Sequence, residues 1–350
     1  MSKRALTYFL YLLHLFVFSS CQFRPLEEMS NTHYLRVYLD ERIINLTEGL
    51  YNENYLRPAY STPEVLHAVL ADPATGDVVA ERYLRHQGED SYGRYLDGYV
   101  ICEPGEWDLL VWNFDTETTQ VKNERNVREA MGYTNEIASH LKSGLTSSRN
   151  ASKADEPERI VYDPDPLLVA QNHVSIPYTD KVDTLRPSDG ERFVAQCITQ
   201  TWYLQVKVKG MDFVTSARSL LSDMAGSKWM WNPRMNEEDP VTLYFEMNEG
   251  EKFEEDETTI VYATFSTFGR LPGETNNLQV TFDFVTTYGT TYSKTLDISL
   301  KFDEDEALKH QWILLDKDVV IEIPEPPEIG GGGFNPGVGD WEDIDTDLII

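Results

Sequence analysis

Glu103-Pro104-Gly105-Glu106, followed by Trp107-Asp108-Leu109-Leu110-Val111-Trp112-Asn113-Phe114, is the stretch from which the fold of this chain can be read. Pro104 and Gly105 supply a turn. The octet after them places Trp107, Leu109 and Val111 on one face and Leu110, Trp112 and Phe114 on the other. A strand that is apolar on both faces belongs between two layers, so the octet predicts a sandwich. Arg94 to Cys102 reads as the strand before the turn, and the two together as a hairpin.

Outward from this pair, the same period of two recurs. Tyr34, Arg36 and Tyr38 alternate with Leu35, Val37 and Leu39. Glu64 to Leu70 and Val78 to Leu84 flank Asp72-Pro73-Ala74-Thr75-Gly76-Asp77, a second hairpin signal. Thr116 to Ser143 changes character. Val127, Met131, Ile137 and Leu141 are spaced for a helix or helical excursion, interrupted near Gly132, and Ser143 to Glu158 is polar and loop-like. Pro164 and Pro166 forbid a central strand at their own positions within Arg159 to Pro177. Lys181 to Glu191, with Pro187 and Gly190, reads as a domain boundary.

The second half is more plainly β. Strands are predicted at Val194 to Val208, Thr242 to Met247, Thr259 to Phe268, Asn277 to Thr286, Lys294 to Leu300 and Trp312 to Leu315, the last running into Val319 to Ile323. Val214 to Gly226 is a candidate short helix, because Ala217, Leu220, Leu221 and Met224 fall at helical spacing. Glu249 to Glu257 reads as a solvated charged loop. The expected fold is therefore all-β: two tandem antiparallel β-sandwich domains, residues 34–185 and 191–323, with a short helix in the second.

At a hydrophobic fraction of 41% the chain can build a core. Lys and Arg number 30 against 59 Asp and Glu, a formal net charge of −29 at pH 7, which repels nucleic acid and anionic lipid headgroups. Met1 to Cys21 has the layout of an export signal. Lys3 and Arg4 precede the apolar run Ala5 to Phe18, and Phe18-Ser19-Ser20 leads into Cys21. The run falls short of the roughly 20 apolar residues of a spanning helix. It resembles a lipoprotein signal, residues 1–20, with Cys21 acylated as the new N-terminus and 21–33 as a tether; an ordinary secretory signal and an uncleaved anchor are the alternatives. Phe18 and Ser20 depart from the usual lipobox residues. The other two cysteines, Cys102 and Cys197, lie in strand-like apolar contexts and read as buried free thiols rather than a disulfide.

The C-terminal stretch, residues 324–350, is unusual. Pro324-Glu325-Pro326-Pro327 ends the last strand, Gly330 to Gly333 makes a joint, and Ile344, Thr346, Leu348 and Ile350 then alternate with Asp343, Asp345 and Asp347. That is a half-buried strand with no obvious partner; a disordered acidic tail is the alternative.

Taken in order, His33 to Tyr38 (HYLRVY), Pro104 to Asn113 (PGEWDLLVWN), Asp163 to Leu167 (DPDPL), Ala217 to Gly226 (ARSLLSDMAG) and Gly330 to Trp341 (GGGGFNPGVGDW) resemble the fimbrillin-like lipoproteins of Bacteroidales. The resemblance implies two transthyretin-like sandwiches and a fimbrial subunit on the outer membrane, lipid-anchored through Cys21 and joined to other fimbrial subunits by strand exchange. It makes Asp343 to Ile350 the candidate donor strand, with Ile344, Thr346, Leu348 and Ile350 as its plugs. Stalk subunits of that family are cut after a basic residue near the N-terminus. No convincing site follows the tether here, apart from Arg57 and Arg85, so an accessory or anchor-like subunit is expected. Asp183-Thr184-Leu185 resembles a Bacteroidales O-glycosylation sequon at Thr184.

Catalysis has no support. G-x-S-x-G, H-E-x-x-H, P-loop and dinucleotide fingerprints are missing, and nothing singles out one carboxylate pair. No catalytic residue, cofactor or metal is expected, although Asp163 with Asp165, and Asp303 to Glu306, are conceivable oxygen ligands for calcium. The competing reading is a non-catalytic surface module that binds carbohydrate on an aromatic platform of Trp229 and Trp231. One or both tryptophans closing the core is the bland alternative. Lipidation at Cys21 is tested by palmitate labelling in the native host: label should follow the wild-type chain into the membrane fraction, and Cys21→Ala should lose both label and membrane association.

Overall fold

In the computed structural model, which describes residues 31–40, 62–142, 144–145, 159–188, 191–272, 278–317 and 319–326, alternation becomes strand nearly everywhere the sequence shows it. The first half contains β1 (Thr32–Leu39), β2 (Leu66–Ala71), β3 (Val78–Leu84), β4 (His86–Asp90), β5 (Gly93–Ile101) and β6 (Gly105–Asn113). It continues with β7 (Thr119–Lys122), β8 (Met131–Thr134), the one-turn helix α1 (Ser139–Lys142), β9 (Ile160–Tyr162), β10 (Leu168–Ile176), β11 (Asp183–Thr184) and β12 (Phe193–Cys197). The second half contains β13 (Gln200–Lys209), β14 (Val214–Ala225), β15 (Ser227–Trp229), β16 (Pro240–Phe253), β17 (Thr258–Thr267), β18 (Gln279–Thr286) and β19 (Thr291–Asp297). Helices α2 (Ser299–Phe302) and α3 (Asp305–His310) and the short strands β20 (Trp312–Leu314) and β21 (Val320–Glu322) complete it.

Strands of the first half are ordered β3-β2-β6-β10-β12-β1-β5-β4, and the sheet folds over a core that joins Leu35 and Val37 of β1 to Leu70 of β2 and Leu109 and Val111 of β6. The second is ordered β19-β18-β14-β16-β17-β13-β20. Here β16 passes from one layer into the other: residues up to Met247 pair with β14, and Asn248 to Phe253 pair with β17, with a shift in register between Glu249 and Lys252. Its core holds Val206, Leu221, Phe245, Phe265, Phe282 and Phe284.

Four readings of the sequence need correction. The 94–102 and 107–114 strands exist but are not a hairpin. Strand β5 pairs with β1 and β4, whereas β6 pairs with β2 and β10, so the Glu103–Glu106 turn carries the chain between layers. Both edges of β6 are already taken, which leaves no place for β5 beside it. Secondly, Val214–Ala225 is a strand, not a helix. A bulge between Leu221 and Met224, with Asp223 at φ 55°, returns Met224 to the face of Ala217 and Leu221. Leu220 points to the opposite buried cluster, and together these mimic helical spacing. The short helices of this half are α2 and α3 instead. Thirdly, Thr116 to Ser143 holds two short strands and a single helical turn, and the charged stretch after Glu249 continues β16 as far as Phe253.

Fourthly, five pairings are parallel in a fold expected to be antiparallel: β1 with β11 and β12, β13 with β20 and β21, and β16 with β9. Each half thus joins its first strand in parallel to its last ones. The strand Phe193–Cys197, assigned by sequence to residues 191–323, is hydrogen bonded into the first sheet through β1 and β10. After it the chain enters the second sheet at Gln200, although β9 of the first half already pairs there with β16.

The halves are not independent. A three-stranded sheet, β15-β8-β7, takes strands from both, and a third core beneath it contains Trp112, Leu167, Ile198, Met230 and Phe268. Gly132 of β8 is required there, since a Cβ would lie 2.3 Å from Leu167 Cδ2. Trp112 on one face of β6 and Val111 on the other confirm a strand buried on both sides, between two cores.

Asp163 and Asp165 hold this junction. Asp165 Oδ2 accepts the backbone N–H groups of Glu117, Thr118 and Thr119 at 2.7, 2.6 and 3.2 Å. Asp163 Oδ2 accepts the Ser266 N–H at 3.3 Å, and burial pushes its carboxyl up to about 6 against that amide, with the nearby Asp165 charge adding to the rise. Asp165→Ala should therefore lower unfolding stability by about 2–3 kcal/mol, measured by denaturant titration, because three donors lose their acceptor. For Asp163 the folded carboxyl binds its proton more tightly than the unfolded one. Its contribution is fully present below about pH 4 and is lost as pH rises through about 6. Asp163→Asn should gain stability relative to wild type above pH 6, by an amount that shrinks toward pH 4; an unchanged difference across that window would contradict the burial account.

Candidate functional site

Cys21 and the strand carrying Ile344, Thr346, Leu348 and Ile350 lie outside the described residues. Thr184 is exposed on the two-residue strand β11, opposite Tyr34 of β1, rather than in a free linker.

Trp229 and Trp231 flank the fully buried Met230. Trp229 sits in β15 against Met131, with the Arg234 guanidinium 4.4 Å from its ring centre. It lines an open cleft of about 1050 Å³ with Lys228, Arg234, Arg270 and Gln311. Trp231 does not line that cleft; it packs edge-on to His173 at 5.5 Å and against the third core. A single cleft-facing ring, one side of it covered by an arginine, is what the structure makes of the sequence-predicted platform. Beside it, Lys228 Nζ donates to the Ile198 carbonyl at 2.8 Å, and burial lowers its pKa.

The conceivable calcium ligands are committed elsewhere. Asp163 and Asp165 serve backbone amides, while Asp303, Glu304 and Glu306 pair with Arg270, Lys301 and Lys309. Among the described residues no group of three His, Cys, Asp or Glu side chains could hold a metal ion. Cys102 and Cys197 are free thiols. Burial pushes Cys102 up to about 11, so it stays a protonated apolar filler at neutral pH, and the Cys197 thiol lies 3.1 Å from Thr199 Oγ1. Among the described residues no helix is long and apolar enough to cross a membrane.

What the structure adds is a set of sheet edges. Among the described residues the outermost strands are β3 and β4 in the first sheet, β19 and β20 in the second. Three of them carry charges: Glu81 and Arg82 on β3, Glu89 and Asp90 on β4, Lys294 and Asp297 on β19. Such charges blunt an edge against further pairing. Strand β20, Trp312-Ile313-Leu314, has none. It binds Tyr203–Gln205 of β13 in parallel; after an excursion at 315–319, β21 binds Lys207–Lys209. No sequence pattern distinguishes these two short segments from one interrupted antiparallel strand.

Residues 84–246 match a family model described as a domain of unknown function, DUF5119. None of the curated proteins compared matches the sequence. Among solved structures, a "putative adhesin" from Bacteroides ovatus superposes with a TM-score of 0.52 at 16% identity, covering 84% of this chain and 93% of that one. The fimbrial anchor protein Mfa2 from Porphyromonas gingivalis matches with a TM-score of 0.42 at 10% identity, over 81% of this chain and 88% of that one. A further adhesin-titled structure, from Bacteroides thetaiotaomicron, gives 0.42 at 13% identity over 81% and 87%. The chain therefore has the fold of the Bacteroides ovatus protein along most of its length, and its middle matches DUF5119.

Proposed function

We propose that this chain is a cell-surface structural protein of the fimbrial adhesion apparatus, an accessory or anchor-like subunit with no catalysis of its own. It is held at the outer membrane by a lipid on Cys21 and joins other subunits by β-strand donation. The fold shared with the Bacteroides ovatus adhesin-titled protein supports the class. The observation that carries the assembly mode is the uncharged β20 edge, closed onto β13 by parallel segments of three residues each.

The physical reasoning is direct. Parallel pairing is slightly weaker per residue than antiparallel, and a three-residue ladder adds little cooperativity. An added strand supplies main-chain hydrogen bonds along an open edge and inserts alternate side chains for specificity. In this reading Ile344, Thr346, Leu348 and Ile350 are the inserted side chains, and the acidic residues between them keep the strand soluble before it docks.

Surface fractions from the native host test the reading on denaturing gels, boiled and unboiled. Wild type should give a ladder of high-mass bands that collapses on boiling. A chain ending at Gly333, and the double variant Ile344→Asp with Leu348→Asp, should give monomer alone. A ladder that persists in the truncated chain would keep assembly and move the donor strand elsewhere. Monomer in every lane, despite surface exposure, would sink the assembly reading in favour of a lipoprotein that binds carbohydrate without polymerising.

A further inference from the structure

The outer face of the first sheet is not the polar surface that alternation leads one to expect. Leu35, Val37 and Leu39 of β1 point into the core; Tyr34, Arg36 and Tyr38 lie on the other face, where Tyr34 and Arg36 are half-buried and Tyr38 is 9% exposed beneath its neighbours. Across the ladder to β5 these three stand opposite Tyr99, Asp97 and Tyr95. One strand further, Gly88 of β4 stands opposite Tyr95, whose ring lies where a Cβ would be, 2.4 Å from that position. The absence of a side chain at Gly88 is what lets this ring lie flat on the sheet.

Arg36 is locked into this face. Its guanidinium stacks 3.8 Å from the Tyr95 ring centre and donates to Asp90 at 3.1 Å and to the Tyr34 hydroxyl at 3.1 Å. Asp97, 4% exposed, accepts from the Tyr34 hydroxyl and His86 Nδ1 and lies 3.6 Å from Arg36. Tyr38 donates to Asp90 at 2.9 Å. The charge of Arg36 is thus balanced by two carboxylates, and the aromatic rings around it are held by their hydroxyls.

A concave wall rises beside this face, formed by residues 184–187 and 191–193. The cavity so formed is about 810 Å³, within the ordinary size of a ligand site. Its floor is Tyr34, Arg36 and Tyr38, and its far wall includes Arg186 and Arg192. Arg192 stacks 3.8 Å from the ring centre of Tyr92, which is 67% exposed, and 5.6 Å from Tyr38. The lining carries Arg36, already balanced by Asp90 and Asp97, together with Arg186, Arg192 and Glu191, in a chain of net charge −29. A local positive concavity within an acidic surface concentrates the field on a small anion while the surface as a whole turns away a polyanion.

We propose that this cavity binds a carboxylated saccharide unit, a hexuronate or sialic acid residue. The C–H face of the sugar would rest on the exposed ring of Tyr92, and its carboxylate would meet Arg192 and Arg186. Aromatic faces with fixed hydroxyls suit a pyranose ring, and a planar guanidinium forks onto a carboxylate through two hydrogen bonds. The proposal is independent of strand exchange, since it concerns the first half of the chain and needs no second subunit.

Isothermal titration of the full mature chain with Cys21→Ala would use tri-galacturonate and sialyllactose as probes, with methyl-esterified tri-galacturonate and lactose as neutral counterparts. At least one acidic probe should bind, at least tenfold more tightly than its neutral counterpart. Tyr92→Ala and Arg192→Gln should each weaken that binding tenfold or more, and Trp229→Ala should leave it unchanged. Both altered side chains are exposed, so circular dichroism and thermal melts should match wild type. Equal binding of acid and neutral forms would overturn the carboxylate assignment. Loss with Trp229→Ala alone would move the site to the other cleft. Binding of an oligoglutamate peptide with no binding of either acidic sugar would replace the saccharide with an acidic protein partner, and no binding at millimolar concentration would end the proposal. Each of these leaves the gel ladder free to come out either way.

Discussion

The core under Trp112 is the constraint on which the rest of the architecture depends. Trp112 is fully buried, as are Leu110, Met230 and Phe268 around it. An aromatic side chain of this size hides roughly 200 Å², worth about 5 kcal/mol of transfer free energy before entropy is subtracted. That free energy is available only if both halves fold against each other, because β6 supplies Trp112 and the second half supplies Met230 and Phe268. The close approach at Gly132 and the amides gathered by Asp165 have meaning only in that setting. Two sandwiches joined by a leash would have needed neither.

This mutual core also decides what the sequence could reveal. The period of two in β1, β6, β13 and β17 is local, and it was legible, as was the hairpin of β2 and β3 around Asp72 to Asp77. What failed was the pairing across the Glu103–Glu106 turn and the period over Val214–Ala225. Glu103 to Glu106 has the residues of a hairpin turn, and no local feature says that β6 already has β2 and β10 on its two edges. Ala217, Leu220, Leu221 and Met224 have helical spacing because a bulge adds one residue to a strand buried on both faces, and the period-two signature fails where such a residue is inserted. Parallel closure of β1 and β13 by segments of two to five residues is tertiary information, and such segments are too short to register a period.

Candidate sites divide in the same way. Trp229 and Trp231 were visible as an aromatic pair, but which of them would face a cleft depended on where His173 and Arg234 arrive from other elements. On β1 the alternation of Tyr34, Arg36 and Tyr38 was equally visible. Its consequence was hidden, because Tyr95, Asp97, Asp90 and Arg192 come from elsewhere in the chain, and register alone brings the first two opposite Tyr38 and Arg36.

Charge separates the two surfaces that remain. Excess carboxylates keep most of the molecule apart from anionic neighbours, so contacts must form where carboxylates are missing or already neutralised. Strand β20 meets the first condition: its three residues are uncharged and its outer edge ends the sheet. The Tyr34–Arg36–Tyr38 face meets the second, since Asp90 and Asp97 are held against Arg36 and the arginines of the far wall stand beyond them. One is a main-chain edge, and the other is a side-chain cavity lined by tyrosines and arginines. They lie in different halves, which share the core under Trp112.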